Sequence, residues 1–263
     1  MRKTVSWLYF ALIFVFLYAP IAIMILYSFN DASGSVTKWG GFGFGNYLGL
    51  LHQTKAIESL RNSLVIALLS SIGACLLGTM ASLGLVNLKK SRGVVLNISN
   101  LPIINPEIVT GVSLMLIFSV LFSGVGLGFH TVLLAHIVFN TPYVILNVMP
   151  RLRRMDKNLY EAALDLGCTP TRALWRVVMP ELFPAILSGF LISFTYSMDD
   201  FVISYYTGGT FQTFSVFIYN SLKKGLQDWM LALSGILFVS VLCVLILMNV
   251  HDIRQEKKEK NAR

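Results

Sequence analysis

The chain has 263 residues, of which 55% are hydrophobic and only 13% are charged, and its mean hydropathy is +0.69. Soluble domains carry about 25% charged residues, so this composition excludes an ordinary soluble protein and indicates a membrane protein. The formal net charge is +8. The basic residues lie between apolar segments and not on a folded domain of their own, so we predict no nucleic-acid partner.

Six apolar segments follow one another along the chain. Each has close to the about 20 residues that a helix needs to cross about 30 Å of hydrocarbon. The first follows a basic start, but it is longer than a usual signal sequence and lacks a small-residue cleavage site, so we interpret it as an uncleaved span. The segments are 7–27, 63–86, 101–122, 131–149, 183–203 and 230–250.

The distribution of Lys and Arg predicts the orientation of these spans. Sixteen of the 21 basic residues lie at the termini or in the loops on the same side as the termini, and five lie on the other side. Loops rich in Lys and Arg stay in the cytoplasm. We therefore expect cytoplasmic N- and C-termini and a cytoplasmic loop at 150–180 in the plasma membrane of the cell.

The loop at 150–180 is the most charged internal segment, yet the pattern of its residues predicts short helices. Apolar residues recur at helical spacing over 159–166, which predicts a short amphipathic helix. Gly167 then ends this helix, because glycine adopts the left-handed conformation at little cost.

A second short helix is expected directly after the first. Thr169 is a suitable N-cap and Pro170 a suitable first helical residue, and we expect the helix to run through Val178. Pro180 should limit it before the next span. Such a hairpin could dock a soluble partner, or it could be an ordinary amphipathic linker.

Two adjacent carboxylates, Asp199 and Asp200, stand late in the fifth span, close to Tyr196. Ionisable groups within a span are costly and are often functional. The helix could end early and expose both to outer water, or one carboxylate could cap a helix or form a structural pair. They could also form a site for a cationic solute, with tyrosines offering cation–π faces.

Glu107 stands at the edge of the third span, just after Pro106. It is either shallow enough to be solvated or placed to face a substrate cavity. The three cysteines and four histidines show no disulfide framework or metal-ligand spacing. We interpret them as structural and predict no cofactor and no metal.

Four further segments carry predictions of structure. The second span has a stripe of small residues, for packing against neighbouring helices or against a second subunit. The loop 29–62 should hold a short interfacial helix near 47–60, and it either docks a binding protein or anchors at the membrane surface through its aromatics. A short helix is predicted at 214–222, and the tail 255–263 is expected to be disordered. The stripe consists of Ser70, Ala74, Gly78 and Ser82.

The hairpin sequence resembles the EAA loop of ABC-importer permeases. The likeness rests on the run 161–163, Gly167, and Val177, Met179 and Pro180, with Val and Met standing where Ile and Leu are usual. The opening Asn-Pro-Glu at 105–107 and the Ser-Met-Asp-Asp run at 197–200 narrow this likeness from importer permeases in general to those that serve polyamines. The chain resembles the C-type permease subunit of spermidine/putrescine ABC importers.

This resemblance implies a single permease domain over residues 1–263 with the type I ABC importer permease fold. That fold is an all-α membrane protein with six transmembrane helices and a cytoplasmic helical coupling hairpin. The ATPase-coupling residues it implies are Glu161, Ala162, Ala163, Asp165, Gly167 and Pro180. It implies that Asp199 or Asp200 lies near the substrate path, and the chemistry of the residues adds Glu107 and Tyr196 as candidates for that path.

The resemblance also implies the partners. They are a sister permease subunit in a heterodimer, a cytoplasmic ATPase dimer, an extracytoplasmic polyamine-binding protein and membrane lipid. The sequence contains no G-x-x-x-x-G-K-[ST] run, so ATP would be hydrolysed by the partner and this subunit would not be an enzyme.

Two other functions remain open. The chain could serve an ABC importer for another solute, or it could be a secondary carrier that uses Asp199, Asp200 and Glu107 as an ion relay. A membrane-embedded enzyme is not supported, because no Ser/His, His/Glu or paired-carboxylate arrangement stands at catalytic spacing.

Overall fold

The structure, a computed structural model, describes residues 2–31, 38–86, 93, 105–121, 123–124, 126–240 and 242–243. Helices account for most of this part of the chain. They are α1 (Arg2–Ser28), α2 (Gly45–Leu51), α3 (Thr54–Val86), α4 (Glu107–Leu121), α5 (Phe129–Arg154), α6 (Lys157–Asp165), α7 (Pro170–Ala173), α8 (Met179–Asp199), α9 (Val202–Thr207), α10 (Phe214–Leu222) and α11 (Asp228–Ser240).

In the described residues, an apolar helix lies within each of the six predicted spans. Four helical segments are long and apolar enough to cross a membrane, and α4 and α11 are shorter apolar helices. The residues 32–37, 101–104, 122, 241, 244–250 and 255–263, on which parts of the predictions fall, lie outside the described residues. The four long segments are Ser6–Ser28, Thr54–Val86, Phe129–Arg154 and Pro170–Asp199.

The chain divides into two compact units, of which one is formed by residues up to Thr54 and from Asn220 onward. In this unit the Ser28 hydroxyl shares a hydrogen bond with the Tyr47 hydroxyl (2.8 Å). The most apolar 18-residue window of α1 has no buried residue within the structure. Its apolar side chains therefore need lipid or another protein around them.

The helices after the first span differ from their predicted bounds. The short helix predicted at 47–60 is α2, at Gly45–Leu51, and the helix that contains the second predicted span begins at Thr54 and not at 63. Charged residues such as Lys55 and Glu58 lower the local hydropathy without breaking a helix, because Lys and Glu are good helix formers. The predicted helix at 214–222 is confirmed as α10.

The second unit, Lys55–Tyr219, is built around α5 and α8. The contacts of Val144 with Gly189 and of His136 with Ser197 show that the two helices run antiparallel. Helix α3 packs on the same pair, and a Cβ on Gly78 would lie only 2.7 Å from the Val144 Cβ. The whole small-residue stripe of α3 is buried within this chain, without any contribution from a second subunit.

The predicted stop at Pro180 is wrong. Helix α7 passes without interruption through a π turn at Leu174–Val178 into α8, and Pro180 lies in the first turn of α8. A π turn shifts the backbone hydrogen bonds from the i−4 to the i−5 carbonyl. This change of register accommodates the N–H that proline lacks and gives room for its ring.

The core at this end of the unit joins the membrane helices to the hairpin. Val148 and Leu152 of α5 are buried together with Val178 and Leu182. Tyr160 of α6 packs against this cluster. The hairpin is therefore seated on the ends of α5 and α8, so a displacement of one has to be accommodated by the other.

Candidate functional site

The hairpin helix α6 is fixed at both ends by local hydrogen bonds. Asp156 is its N-cap, and its carboxylate accepts a hydrogen bond from the Asn158 N–H (2.9 Å). At the other end the Cys168 N–H donates to the Ala163 carbonyl (3.0 Å), and Gly167 has φ +81°. The predicted glycine stop is thus confirmed, whereas the Asp156 cap was missed by sequence reasoning.

One side of helix α6 is buried and the other side is exposed. Ala163 is 8% exposed and faces inward, whereas Leu166 is 87% exposed. The exposed side therefore combines carboxylates with apolar surface. The exposed residues of this surface, which we call the hairpin face, are Glu161, Ala162, Asp165, Leu166 and Gly167. Pro180 is exposed as well, but it lies in the first turn of α8.

An ion pair joins the neighbouring ends of α5 and α8 beside the hairpin. The Arg151 guanidinium donates to the Glu181 carboxylate (2.5 Å). The two side chains are 48% and 40% exposed, so water reaches both. Exposed pairs of this kind contribute little to stability by themselves.

The far end of α8 is organised by Asp200. Helix α8 stops at Asp199, Asp200 has an extended backbone, and α9 begins at Val202. The Asp200 carboxylate accepts hydrogen bonds from the N–H groups of Ile203 (3.1 Å) and Ser204 (2.8 Å). It therefore caps the short helix that follows, and the break falls inside the span predicted at 183–203.

His136 of α5 completes the environment of Asp200. Its Nε2 atom lies 3.2 Å from the Asp200 carboxylate and 3.0 Å from the Ser204 hydroxyl. Its Nδ1 atom lies 2.6 Å from the Ser197 hydroxyl, which also contacts Ser70 of α3 (3.0 Å). The side chains of His136 and Asp200 are 0% and 3% exposed, so this buried network ties α3, α5, α8 and α9 together.

A second polar level lies one helical turn along the same interface. Asn140 of α5 and Ser193 of α8 are both 0% exposed. The contacts of His136 with Ser197 and of Val144 with Gly189 lie one turn to either side of these two residues. The register of the antiparallel helices therefore places Asn140 opposite Ser193. Within the described structure, the Asn140 amide atoms and the Ser193 hydroxyl have no hydrogen-bond partner.

The remaining predicted path residues are accessible. Asp199, Glu107 and Tyr196 are exposed, and neither carboxylate forms an ion pair among the described residues. The Tyr196 ring lies 4.6 Å from the ring of Tyr143, centroid to centroid. Glu107 and Tyr196 are both close enough to act electrostatically on the Tyr143 hydroxyl. The structure thus separates the two neighbouring aspartates into one buried and one exposed group.

No group of three or more His, Cys, Asp or Glu side chains that could hold a metal ion occurs in the described part of the chain. The polar atoms of the buried network at the end of α8 already form hydrogen bonds with one another. The arrangement can hold helices in place and present carboxylates and phenol rings.

The sequence matches a family described as the inner membrane component of binding-protein-dependent transport systems, over residues 74–257. The chain belongs to this family. It is a permease subunit and a multi-pass membrane protein, and in this family the energy-converting ATPase is a separate partner.

Two relatives from Escherichia coli (strain K12) cover most of this permease. The putrescine transport system permease protein PotI is 36% identical over 240 residues, which are 87% of this chain and 83% of the relative. The spermidine/putrescine transport system permease protein PotC is 33% identical over 236 residues, 89% of this chain and 88% of the relative.

The permease also has the fold of solved ABC transporters. A chain of a bacterial ABC transporter that imports the acidic polysaccharide alginate matches with a TM-score of 0.67 at 14% identity, covering 95% of both chains. A chain of the MetNI methionine ABC transporter matches with a TM-score of 0.57 at 17% identity, covering 80% of this chain and 96% of the other. These likenesses confirm the all-α type I importer permease fold.

Sequence reasoning missed two residues of this permease that the fold brings to the site. His136 and Tyr143 lie on α5, a long way in sequence from the aspartates and Tyr196. A signal for His136 did exist, because His136 and Asn140 are polar residues one turn apart in an apolar span. Nothing in the sequence singled out Tyr143, because aromatic residues are common in membrane helices.

Proposed function

We propose that this permease moves polyamines, with spermidine and putrescine as the candidate solutes, into the cytoplasm as part of an ATP-driven importer. The observation that carries the proposal is the likeness to relatives named as putrescine and spermidine/putrescine permeases over 87% and 89% of the chain. The exposed acidic and aromatic residues at the end of α8 are consistent with a cationic solute.

The proposed path uses Glu107, Tyr196 and Asp199 as exposed partners for the solute. A flexible polycation that crosses a region of low dielectric constant needs carboxylate or aromatic partners, and they must bind weakly so that it leaves again. Asp200 takes part differently. Its carboxylate is engaged by His136 and the start of α9, so it positions the residues of the path.

The proposed complex contains a sister permease subunit, a pair of cytoplasmic ATPases and an extracytoplasmic polyamine-binding protein. The exposed apolar length of α1 supports contact with lipid or the sister subunit. The hairpin face, with Glu161 at its centre, is the proposed ATPase contact. Its exposed mixture of carboxylates and apolar surface suits a protein groove.

In the proposed orientation both termini and the hairpin are cytoplasmic, as the excess of Lys and Arg on that side indicates. Closure of the ATPases on ATP would move the hairpin, and the core shared by Tyr160, Leu152 and Leu182 would carry this movement to α5 and α8. ATP thereby biases two states of the permease, and this subunit performs no catalysis itself.

Uptake of labelled spermidine tests the proposal. This chain is co-expressed with its candidate ATPase, sister permease and binding protein in a strain that lacks polyamine uptake. Glu161→Lys should abolish both uptake and co-purification of the ATPase, because it reverses a charge on the hairpin face. Asp199→Asn should reduce uptake while the complex stays assembled.

Glu58→Lys is the matched control for assembly, because Glu58 is also an exposed carboxylate but lies on α3, outside the hairpin. It should leave ATPase co-purification unchanged. Uptake that survives omission of the ATPase would overturn the importer assignment in favour of a secondary carrier. A complex that hydrolyses ATP but moves no polyamine would retain the coupling assignment and reject the solute.

The orientation is tested separately with reporter fusions at the C-terminus. A fluorescent protein that folds in the cytoplasm should be bright, and a phosphatase that is active only outside should be silent. The reverse result would place the hairpin on the outer side and remove it as the ATPase contact.

A further inference from the structure

Three aromatic side chains form a cluster between α5 and α8. Phe139 and Tyr143 lie one turn apart on α5, and Tyr196 lies on α8. Phe139 is only 5% exposed and meets both tyrosines edge to face, with ring centroids 5.6 Å from Tyr143 and 6.4 Å from Tyr196. The buried ring thus packs against both tyrosines.

The two tyrosines present their rings outward. Their centroids are 4.6 Å apart with an interplanar angle of 33°, a tilted arrangement that keeps both rings in contact. Tyr196 is 47% exposed and Tyr143 is half-buried. Aromatic rings held at fixed positions lose little conformational entropy on binding, and their faces attract cations.

Two exposed carboxylates lie near this pair. Glu107, the first residue of α4, is exposed and close enough to act electrostatically on the Tyr143 hydroxyl. Asp199 follows Tyr196 by three residues on α8, so both lie on the same face of that helix. Within the described structure, no cationic side chain forms an ion pair with either carboxylate.

We propose that Tyr143, together with Tyr196 and Glu107, forms a binding subsite for one protonated amine and its adjoining methylene groups. The ring faces contact the ammonium group and the methylenes, and the Glu107 carboxylate compensates the charge. The inference deepens the proposed polyamine function and rests on it. It adds a residue, Tyr143, and a ligand, an alkylammonium group.

The chemistry distinguishes this ligand from other solutes. An anion would be repelled by Glu107 and Asp199. A small metal cation would prefer several oxygen ligands to two phenol rings. An alkylammonium group uses both features at once, because its charge suits the carboxylate and its methylenes suit the rings.

The test measures spermidine moved per ATP hydrolysed by the complete complex in proteoliposomes, with saturating binding protein. Saturation removes the affinity of the binding protein from the result. Tyr143→Leu should lower this ratio about three- to tenfold, the range expected for the loss of one cation–π partner. Tyr143→Phe keeps the ring face and should restore the ratio to within about twofold of wild type.

Phe194→Leu is the matched control. Phe194 stacks on Phe190 (centroids 6.2 Å apart) and lies on the same helix as Tyr196, but away from the proposed subsite. Its loss should leave the ratio unchanged. If Tyr143→Leu fails to assemble, Tyr196→Leu and Glu107→Gln test the same subsite at exposed positions and should each lower the ratio.

The outcomes separate the two proposals. If the wild-type complex moves spermidine and Tyr143→Leu, Tyr196→Leu and Glu107→Gln move it equally well per ATP, the subsite is refuted and the polyamine function stands. If the wild-type complex hydrolyses ATP but moves no polyamine, the proposed function fails, and the subsite fails with it. An equal loss in Phe194→Leu would also refute the subsite, because the effect would then be one of packing.

Discussion

The antiparallel helices α5 and α8 are held together by a pair of polar side chains near each end, and the two pairs differ in their surroundings. Arg151 and Glu181 meet beside the hairpin with about half of each side chain exposed. His136 and Asp200 meet at the other end with almost nothing exposed. The first pair stands in water, and the second is held within a network of serine hydroxyls and backbone N–H groups.

This difference indicates how strongly each polar contact holds its end of the helix pair. An exposed pair is screened by water and contributes about 0–1 kcal/mol. Loss of a hydrogen bond to a buried carboxylate costs about 1.5–3 kcal/mol. The contact between Arg151 and Glu181 can therefore be exchanged at low energetic cost, whereas the contacts of Asp200 keep α8, α9 and α5 together.

The largest effect is expected from breaking the buried pair. His136→Leu leaves the Asp200 carboxylate buried without its imidazole partner, so the free energy of unfolding should fall by about 1.5–3 kcal/mol. Denaturant unfolding of the purified chain in detergent measures the change. A loss below about 1 kcal/mol would show that this end is as adaptable as the exposed one.

Asn140→Leu provides the matched control one turn along α5. It removes amide atoms that have no hydrogen-bond partner in the described structure, and a side chain of similar volume replaces them. Replacement of unpaired polar atoms by apolar ones is nearly neutral, so the free energy of unfolding should change by less than about 1 kcal/mol. A loss as large as that of His136→Leu would indicate general sensitivity of the interface and not a special role of the pair.

An intermediate effect is expected at Gly78, where α3 approaches the middle of the pair. A Cβ there would lie 2.7 Å from the Val144 Cβ and 3.1 Å from a backbone oxygen of Thr141. Gly78→Ala should therefore lower the free energy of unfolding by about 1–3 kcal/mol through overpacking. Gly84→Ala is the control, since nothing lies within 4 Å of its Cβ position. Equal effects of the two variants would contradict close packing at Gly78.

A smaller effect is expected where the hairpin begins. Asp156→Ala removes the carboxylate that accepts from the Asn158 N–H, and loss of such a cap costs about 1 kcal/mol. Asp156→Ser retains an oxygen at the cap and should recover most of the loss. Hydrogen exchange of the α6 amides measures the local change, and unchanged exchange in Asp156→Ala would show that the cap is not needed.

The smallest effect on stability is expected at the exposed pair. Arg151→Ala should change the free energy of unfolding by no more than about 1 kcal/mol, because water replaces the lost contact with Glu181. The remaining effect should shrink further as salt concentration rises. A loss of about 3 kcal/mol would show that this end is as firmly fixed as the other and would remove the contrast between them.

Several features of the permease follow from local sequence alone. Hydropathy places the six apolar segments, since crossing a bilayer requires a run of apolar residues that is visible without any neighbour. Gly167 ends α6 because the left-handed turn is a local property of glycine. The helix at 214–222 and the start of α7 at Pro170 are local in the same sense.

Other features depend on which residues the fold brings together. Whether Pro180 stops a helix depended on the π turn before it, and sequence patterns carry no clear sign of such a turn. Asp199 and Asp200 are neighbours of the same type, and only the tertiary structure decides that one is exposed and the other is bound to His136. Packing of α5 against α8 places His136 and Tyr143 beside residues far away in sequence, and burial then determines how strongly each contact acts.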